Sequence, residues 1–324
     1  MKKSSRNNRM ADKSRRKIAR VATNIFEILL GRDRFESILV RLCRIPRLRR
    51  YLKLGSLAYA YAAKQEGAPT RLAFVEKYNL YVHLKNPLGV KSYFFGESGA
   101  FPLMDLLLKP DCTFLDAGAN IGQFSAKATD ILKGKGRVYA FEPDPNNRKL
   151  LEQTVEENGW NTRLKVSSRA LWKVSHSALK FYPSQSAENT GTSSLVHHGV
   201  HQDKSKFIEV STVTLDDFLE EESISRIRLL KIDVERAEHE LLQGFQKGLA
   251  RNIVDFILIE MEGKGPAMNL LKQNGYSGFK ISAGQLARRI GIEEDRKVSD
   301  FLFASTSNLG TIRMLSEAIT EENF

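Results

Sequence analysis

Cysteine is almost missing from this 324-residue chain: Cys43 and Cys112 stand alone. Two cysteines build no disulfide scaffold, and their spacing offers no C-x-x-C metal site. Long apolar runs are missing as well. The uncharged stretch 55–63 falls far short of the ~20 residues a membrane-spanning helix needs. Residues 1–17 are basic and polar with no apolar segment behind them, so no secretory signal is read there and a reducing cytoplasm is the expected compartment. Internal repeats and Gln-, Pro- or Ser-rich tracts are also lacking. What is present is 42% hydrophobic and 27% charged residues, enough to bury a core and to exclude a disordered chain.

The net charge of +12 is unevenly placed. Residues 1–64 hold 18 Lys and Arg against 4 acids, whereas the remaining 260 hold 32 against 34. The basicity therefore belongs to an N-terminal module. Such a module either is solvated or meets an anionic partner: lipid headgroups, nucleic acid or an acidic protein. Apolar residues at helical spacing (Ile18, Val21, Ala22, Ile25, Phe26, Leu29, then Phe35, Ile38, Leu39, Leu42) predict two amphipathic helices, with a break at Pro46 among Arg44, Arg47, Arg49, Arg50 and Lys53. A third helix is expected over 54–63. Two fates stay open for this stripe: lying on an anionic membrane, on the inner membrane face, or packing on the main domain.

The expected organisation is a disordered basic tail (1–17), the helical module (18–69), a main domain (70–310) and a C-terminal helix (311–324). Within the main domain, short apolar runs at 112–117, 137–142, 164–167, 228–233 and 254–260 alternate with helical stretches at 123–132, 145–158, 235–248 and 266–274. That alternation predicts crossover units and a parallel sheet, an α/β fold. Strands at 276–281 and 300–305 close it. A long insertion, 168–227, holds an expected hairpin (170–174 with 178–182), a polar stretch with His197, His198 and His201, and a capping box at Thr214 and Asp217. No acid or cysteine accompanies those histidines at ligand spacing, so no metal is expected.

The strongest local pattern is Asp116-Ala117-Gly118-Ala119-Asn120-Ile121-Gly122, a strand end that turns on glycine into a helix. It lacks the G-x-G-x-x-G of a pyrophosphate cradle. An acid two residues before Gly118 suits a ligand carrying an ammonium group, which points to S-adenosylmethionine. Gly118 is read as letting the backbone approach that ligand, and Gly122 as letting the next helix pack closely. Glu142 ends the second strand, 24 residues after Gly118, where an acid bridges ribose hydroxyls.

These segments, 114–122 (FLDAGANIG), 138–145 (VYAFEPDP), 214–218 (TLDDF), 229–238 (LLKIDVERAE) and 258–260 (LIE), resemble the FkbM-type methyltransferases within the class I S-adenosylmethionine-dependent fold, as does the upstream 93–97. The resemblance covers about 93–305 and leaves the basic module outside. It departs at Arg236, where the family has glycine. The resemblance implies a Rossmann-like, seven-stranded, mostly parallel sheet with the last strand antiparallel. It implies methyl transfer to a hydroxyl of a small-molecule or glycan-type acceptor, with a nucleic-acid acceptor or a non-catalytic membrane-recruited role as alternatives. It also implies that Asp116, Gly118, Ala119, Asn120 and Gly122 hold the methionine end of the cofactor and Glu142 the ribose. Asp144 and Ala170 would border the adenine, and the segment 191–195 the acceptor.

An alcohol nucleophile must lose a proton, so a nearby base helps. Lys231, Asp233 and Glu235 share one face if the strand continues. Asp233 is the candidate base or acceptor-orienting group, with helix N-capping as its alternative. Glu235 and His239 complete the catalytic set. Glu238 and His239 are equally readable as a solvated helix face. Glu260 and Glu262 are placed toward the acceptor.

Overall fold

The computed structural model describes residues 19, 21–52, 54–66, 70–97, 103–183, 205–282, 285–286 and 298–310. The expected tail, Lys53, His197, His198, His201, the segment 191–195 and the C-terminal helix lie outside the described residues. The described residues form two compact units, one up to residue 97 and one from residue 103.

In the first unit, helix α1 (21–30) leads to α2 (Arg32–Cys43), α3 (Pro46–Tyr51) and α4 (Leu54–Lys64). Pro46 opens α3, where its fixed φ and missing N–H suit a first turn. A hairpin, β1 (Thr70–Val75) with β2 (Tyr78–His83), precedes the short α5 (Pro87–Val90) and a π-helical turn, Lys91–Phe95. Phe35, Leu39 and Cys43 of α2 close on Ala58 and Tyr61 of α4 and on Leu84, Val90 and Phe94. The α2 stripe is thus buried within its own unit, with Ile38 left outside.

Glu36 is the polar centre of this unit. It accepts from Arg71 Nε (2.7 Å) and Tyr93 Oη (2.7 Å), and from Tyr61 Oη. Burial opposes its charge, but the hydrogen bonds from Arg71, Tyr61 and Tyr93 prevail and hold the carboxyl below its ordinary value. Arg71 belongs to β1, so the hairpin is part of the helical unit. The boundary expected at 69/70 accordingly falls between residues 97 and 103.

The second unit runs α6 (Met104–Leu107), β3 (Thr113–Ala117), α7 (Gln123–Leu132), β4 (Arg137–Phe141), α8 (Pro145–Glu157), β5 (Leu164–Ser167), β6 (Ala170–Leu171), β7 (Ala178–Phe181), β8 (Ile208–Val213), α9 (Leu215–Glu221), β9 (Ile227–Ile232), α10 (Glu238–Gln243), α11 (Gln246–Ala250), β10 (Val254–Glu262), α12 (Pro266–Gln273), β11 (Ser277–Ser282), β12 (Gln285–Leu286) and β13 (Val298–Ala304). The main sheet has the order β12-β11-β13-β10-β9-β3-β4-β5. Strands β10, β9, β3, β4 and β5 are mutually parallel, and β13 runs antiparallel between β10 and β11. This is the expected seven-stranded α/β sheet, extended by the two-residue β12. Its centre reads as continuous apolar runs because helices cover both faces: Phe114, Leu115, Leu229, Leu230 and 256–259 are all buried.

Two sequence expectations change. The segments 170–174 and 178–182 do not pair with each other. Each joins β8, in the order β6-β8-β7, because Thr212 and Val213 of β8 take the hydrogen bonds that a hairpin would have used. The helix expected over 235–248 begins only at Glu238 and breaks at Gly244, since Glu235 and Arg236 adopt left-handed backbone (φ 50° and 72°). Thr214 does cap α9, accepting from Asp217 N–H at 3.0 Å.

Replacing Glu36 with Ala strands Arg71 and two tyrosine hydroxyls, and should destabilise the first unit by about 3 kcal/mol. Urea unfolding followed in that unit checks this. Because its folded pKa is lowered, the Glu36 contribution is present above the ordinary glutamate range and should be lost on acidification through the folded value. A Glu36→Ala protein as stable as the wild type at neutral pH would contradict the role.

Candidate active site

From β3 the chain builds β4 and β5 on one side, then returns through β9 and β10 on the other. The strand order reverses between β3 and β9, and the crevice at the carboxyl ends there is where open α/β sheets bind ligands. Two loops meet at this point, 117–122 after β3 and 233–237 after β9.

Gly118 has φ +78°, and a Cβ on it would fall 1.9 Å from the Asp233 carbonyl oxygen. The neighbouring chain's backbone at Asp233 already requires glycine here, and Gly118 also lines the crevice. Gly118 and Ala119 both donate to the Phe141 carbonyl (3.0 and 2.9 Å). Asn120 is left-handed (φ 53°), with its side chain accepting from Ile121 N–H at 2.8 Å. Gly122 (φ +87°) precedes α7, and a Cβ there would meet Leu151 Cδ1 at 2.3 Å, so α8 does pack closely at this glycine.

Glu142 follows β4 and lines the crevice. Its Oε2 accepts from Asn120 N–H (2.7 Å) and its Oε1 from Asp144 N–H (2.8 Å). Burial pushes its pKa up to about 8 despite those backbone donors. The carboxyl is therefore held in place by the very loop that carries the glycines.

Asp116 does not line the crevice, contrary to the sequence reading. Its side chain is wholly buried. Oδ2 accepts from Ser125 Oγ at 2.6 Å, and Oδ1 lies 3.4 Å from Lys231 Nζ, an ion pair without hydrogen-bond alignment. The cation that Asp116 meets is this protein's own lysine. Lys231 also donates to the Gly118 carbonyl (3.0 Å), stands 3.3 Å from Asp233 Oδ2, and rests 4.9 Å from the Phe124 ring centre. Burial works against its charge, but Asp116 and Asp233 more than offset this and raise its pKa above that of an ordinary lysine.

Asp144 does not line the crevice either. It is the N-cap of α8, accepting from Asn146 N–H at 2.9 Å, while Pro143 and Asn147 line the crevice beside it. Ala170 stands in the wall with Leu171 and Phe181. Asp233 is not a helix cap, since α10 begins after Ala237. Strand alternation does not place Glu235 either, because β9 ends at Ile232 and the chain turns left-handed.

Asp233 and Glu235 line two cavities at once. One, of about 70 Å³, is the crevice lined by Gly118, Glu142 and Ala170. The other, of about 430 Å³, extends past Glu238, His239, Glu260 and Glu262. Acids crowd this second space. Burial, with Asp233 close by, raises Glu235 to about 8 and Glu260 to about 7; burial raises Glu238 to about 7. His239 lines this space too, and its Nδ1 is buried without a hydrogen-bond partner among the described residues. Among the described residues, no three His, Cys, Asp or Glu side chains gather so as to hold a metal. Asn147 and Phe181 are crevice residues that sequence reasoning did not name, and Lys231 was named beside Asp233 without a role. Of these, only Lys231 carried a signal: a lysine inside an apolar strand, two residues before an acid.

Residues 116–277 match the methyltransferase FkbM domain, half of the chain. The chain belongs to the FkbM methyltransferase family. Hexuronic acid methyltransferase AglP of Haloferax volcanii is 28% identical over 166 residues, covering 51% of this chain and 62% of that protein. The 2-O-methyltransferase NoeI of Sinorhizobium fredii is 27% identical over 160 residues, covering 46% and 63%. The chain thus spans less than two thirds of the length of these two relatives. A solved FkbM methyltransferase from Methylobacillus flagellatus aligns at 15% identity with a TM-score of 0.40, over 83% of this chain and 57% of its own.

Arg236 occupies a left-handed position that glycine adopts without strain. Arg236→Gly should therefore keep the fold and raise stability by up to about 1 kcal/mol, read as a higher Tm. A lowered Tm would show that the arginine side chain, not the backbone, decides this turn. The raised carboxyls predict a pH trend. Glu142, Glu235, Glu238 and Glu260 keep their protons in the folded protein up to about 7 to 8, from an ordinary value of 4.5. The folded state then binds more protons than the unfolded one, so this contribution is full below 4.5 and is lost as pH rises through 7 to 8. Tm without ligand should fall between mildly acidic and mildly alkaline buffer, and a rising Tm would contradict the assignment.

Proposed function

We propose that this chain transfers a methyl group from S-adenosylmethionine to a hydroxyl oxygen of a small-molecule or glycan-type acceptor. The observation that carries the reading is the pair of cavities meeting at Asp233 and Glu235. A donor in one and an acceptor in the other would face each other at that point. The relatives named as hexuronic acid and 2-O-methyltransferases support an oxygen acceptor on a sugar.

The residues of the crevice fit the cofactor. In its charged form Glu142 keeps one further lone pair on each oxygen beyond those given to Asn120 and Asp144, enough to accept from two vicinal ribose hydroxyls, so ligand binding would draw its raised pKa down. Phe141, Leu171 and Phe181 offer an apolar wall to the base, with Asn147 as a polar contact. Asp233 is the carboxylate facing the methionine end, the part first assigned to Asp116. When bound, S-adenosylmethionine supplies a methyl group already activated on a sulfonium, so the protein's task is orientation and exclusion of water.

On the acceptor side, Asp233 is fixed by Lys231 and accepts from the substrate hydroxyl, orienting it. Glu235, with a pKa of about 8, takes the hydroxyl proton. Glu238, Glu260 and His239 line the space in which the rest of the acceptor lies.

Calorimetry with S-adenosylhomocysteine tests the donor half. The wild type should bind, and Glu142→Ala should weaken binding at least about tenfold through the two lost hydroxyl contacts. Asp144→Ala should lower Tm, at roughly 1 kcal/mol for a lost cap, and affect binding less than Glu142→Ala does. No binding by the wild type, or equal binding by Glu142→Ala, would end the reading. Once an acceptor sugar is in hand, Glu235→Gln should lower kcat on the order of 100-fold and abolish the rise of rate with pH through about 8. A pH profile unchanged by Glu235→Gln would move the base elsewhere.

A further inference from the structure

Helix α1 presents its apolar side outward. Its inward face is set by Ala19 and Thr23, which are buried, by Phe26, which is 44% exposed but stacks on Phe35 at 5.8 Å, and by Glu27, which pairs with Lys64. Residues 19, 23, 26 and 27 share one side of a helix, so Val21, Ile25, Ile28 and Leu29 fall on the other. All four are exposed, Ile28 at 82% and Leu29 at 70%. A surface helix ordinarily carries polar residues on that side. The sequence stripe mixed the two faces, and only the structure separates them.

Charge says what covers this face. Residues 1–97 hold 22 Lys and Arg against 7 acids, and nine of those cations lie in residues 1–20, just before the helix. Three of the seven acids are already spent internally: Glu27 on Lys64, Glu36 on Arg71 and Glu97 on Arg49. Beyond the helix, Arg34, Arg41 and Arg47 are exposed, and Tyr51 and Leu52 add exposed apolar surface in the same unit. A second copy of the chain would meet the same excess of positive charge. Nucleic acid would use the cations but leave aliphatic side chains in water. An anionic bilayer accepts both at once, apolar side chains below the headgroups and cations among them.

We propose that α1 is an interfacial helix that seats this protein on anionic membrane through Val21, Ile25, Ile28 and Leu29. Among the described residues no helix is long and apolar enough to cross a membrane, so the contact is peripheral. It is independent of the catalytic reading, because none of these side chains lines either cavity.

Vesicle sedimentation of the full chain tests this. It should pellet with phosphatidylcholine vesicles holding roughly one third phosphatidylglycerol, stay free with pure phosphatidylcholine, and be released as salt is raised. The double variant Ile28→Glu/Leu29→Glu should lower partitioning at least about tenfold, with Tm and S-adenosylhomocysteine binding unchanged. Val21→Asn/Ile25→Asn should act in the same direction. No pelleting with anionic vesicles, or equal pelleting by both variants, would overturn the proposal. So would a wild type that self-associates and ignores vesicles while the double variant is monomeric, which would put a second copy on this face.

Discussion

The buried ammonium of Lys231 is the constraint on which the candidate site depends. It lies between Asp116 and Asp233 and donates to the Gly118 carbonyl. Those three partners come from the ends of the two strands between which the sheet reverses its order. One cation therefore fixes the first glycine loop, the base of that loop and the carboxylate at the junction of the two cavities. A buried ion pair is weak evidence of net stability, but removing one member leaves uncompensated charge and costs about 3–5 kcal/mol. Such a network is better understood as fixing geometry.

From that anchor the rest of the crevice follows. Gly118 can lie against the Asp233 carbonyl only because it lacks a side chain and takes a left-handed φ. The loop then turns its Asn120 N–H to Glu142, so the acid on β4 is positioned by the loop on β3. Beyond Asp233 the chain turns through two consecutive left-handed residues, Glu235 and Arg236. That turn delays α10 to Glu238 and places Glu235 between the two cavities. Non-glycine residues held in such backbone carry strain that the surroundings must impose, and such strain gathers at functional sites.

The layered fold was legible in the sequence because parallel strands covered on both faces read as apolar runs of strand length, separated by helical spacing. That Glu142 stands at the crevice was legible for a related reason: it is an acid at a strand end, beside the strand that carries the glycine turn. Asp116 was misread by the same logic. In a central strand both faces are buried, so the pattern does not say toward which side a polar residue points. Here it points to Lys231, another member of an apolar strand. The left-handed turn at 235–236 was hidden because neither residue favours that conformation. Only the departure at Arg236 marked the place. The two faces of α1 were blurred for a different reason: both contain apolar residues, and packing alone decides which is inside.

The anchor is tested most directly by Lys231→Met, which keeps most of the side chain's length and removes its charge, measured by calorimetry with S-adenosylhomocysteine. Binding should fall at least about tenfold, and adding Asp116→Asn to the variant should recover stability without recovering affinity, because Asp233 would still be unanchored. If Lys231→Met binds the ligand as the wild type does, the crevice is organised by something other than this cation, and the account fails at its foundation.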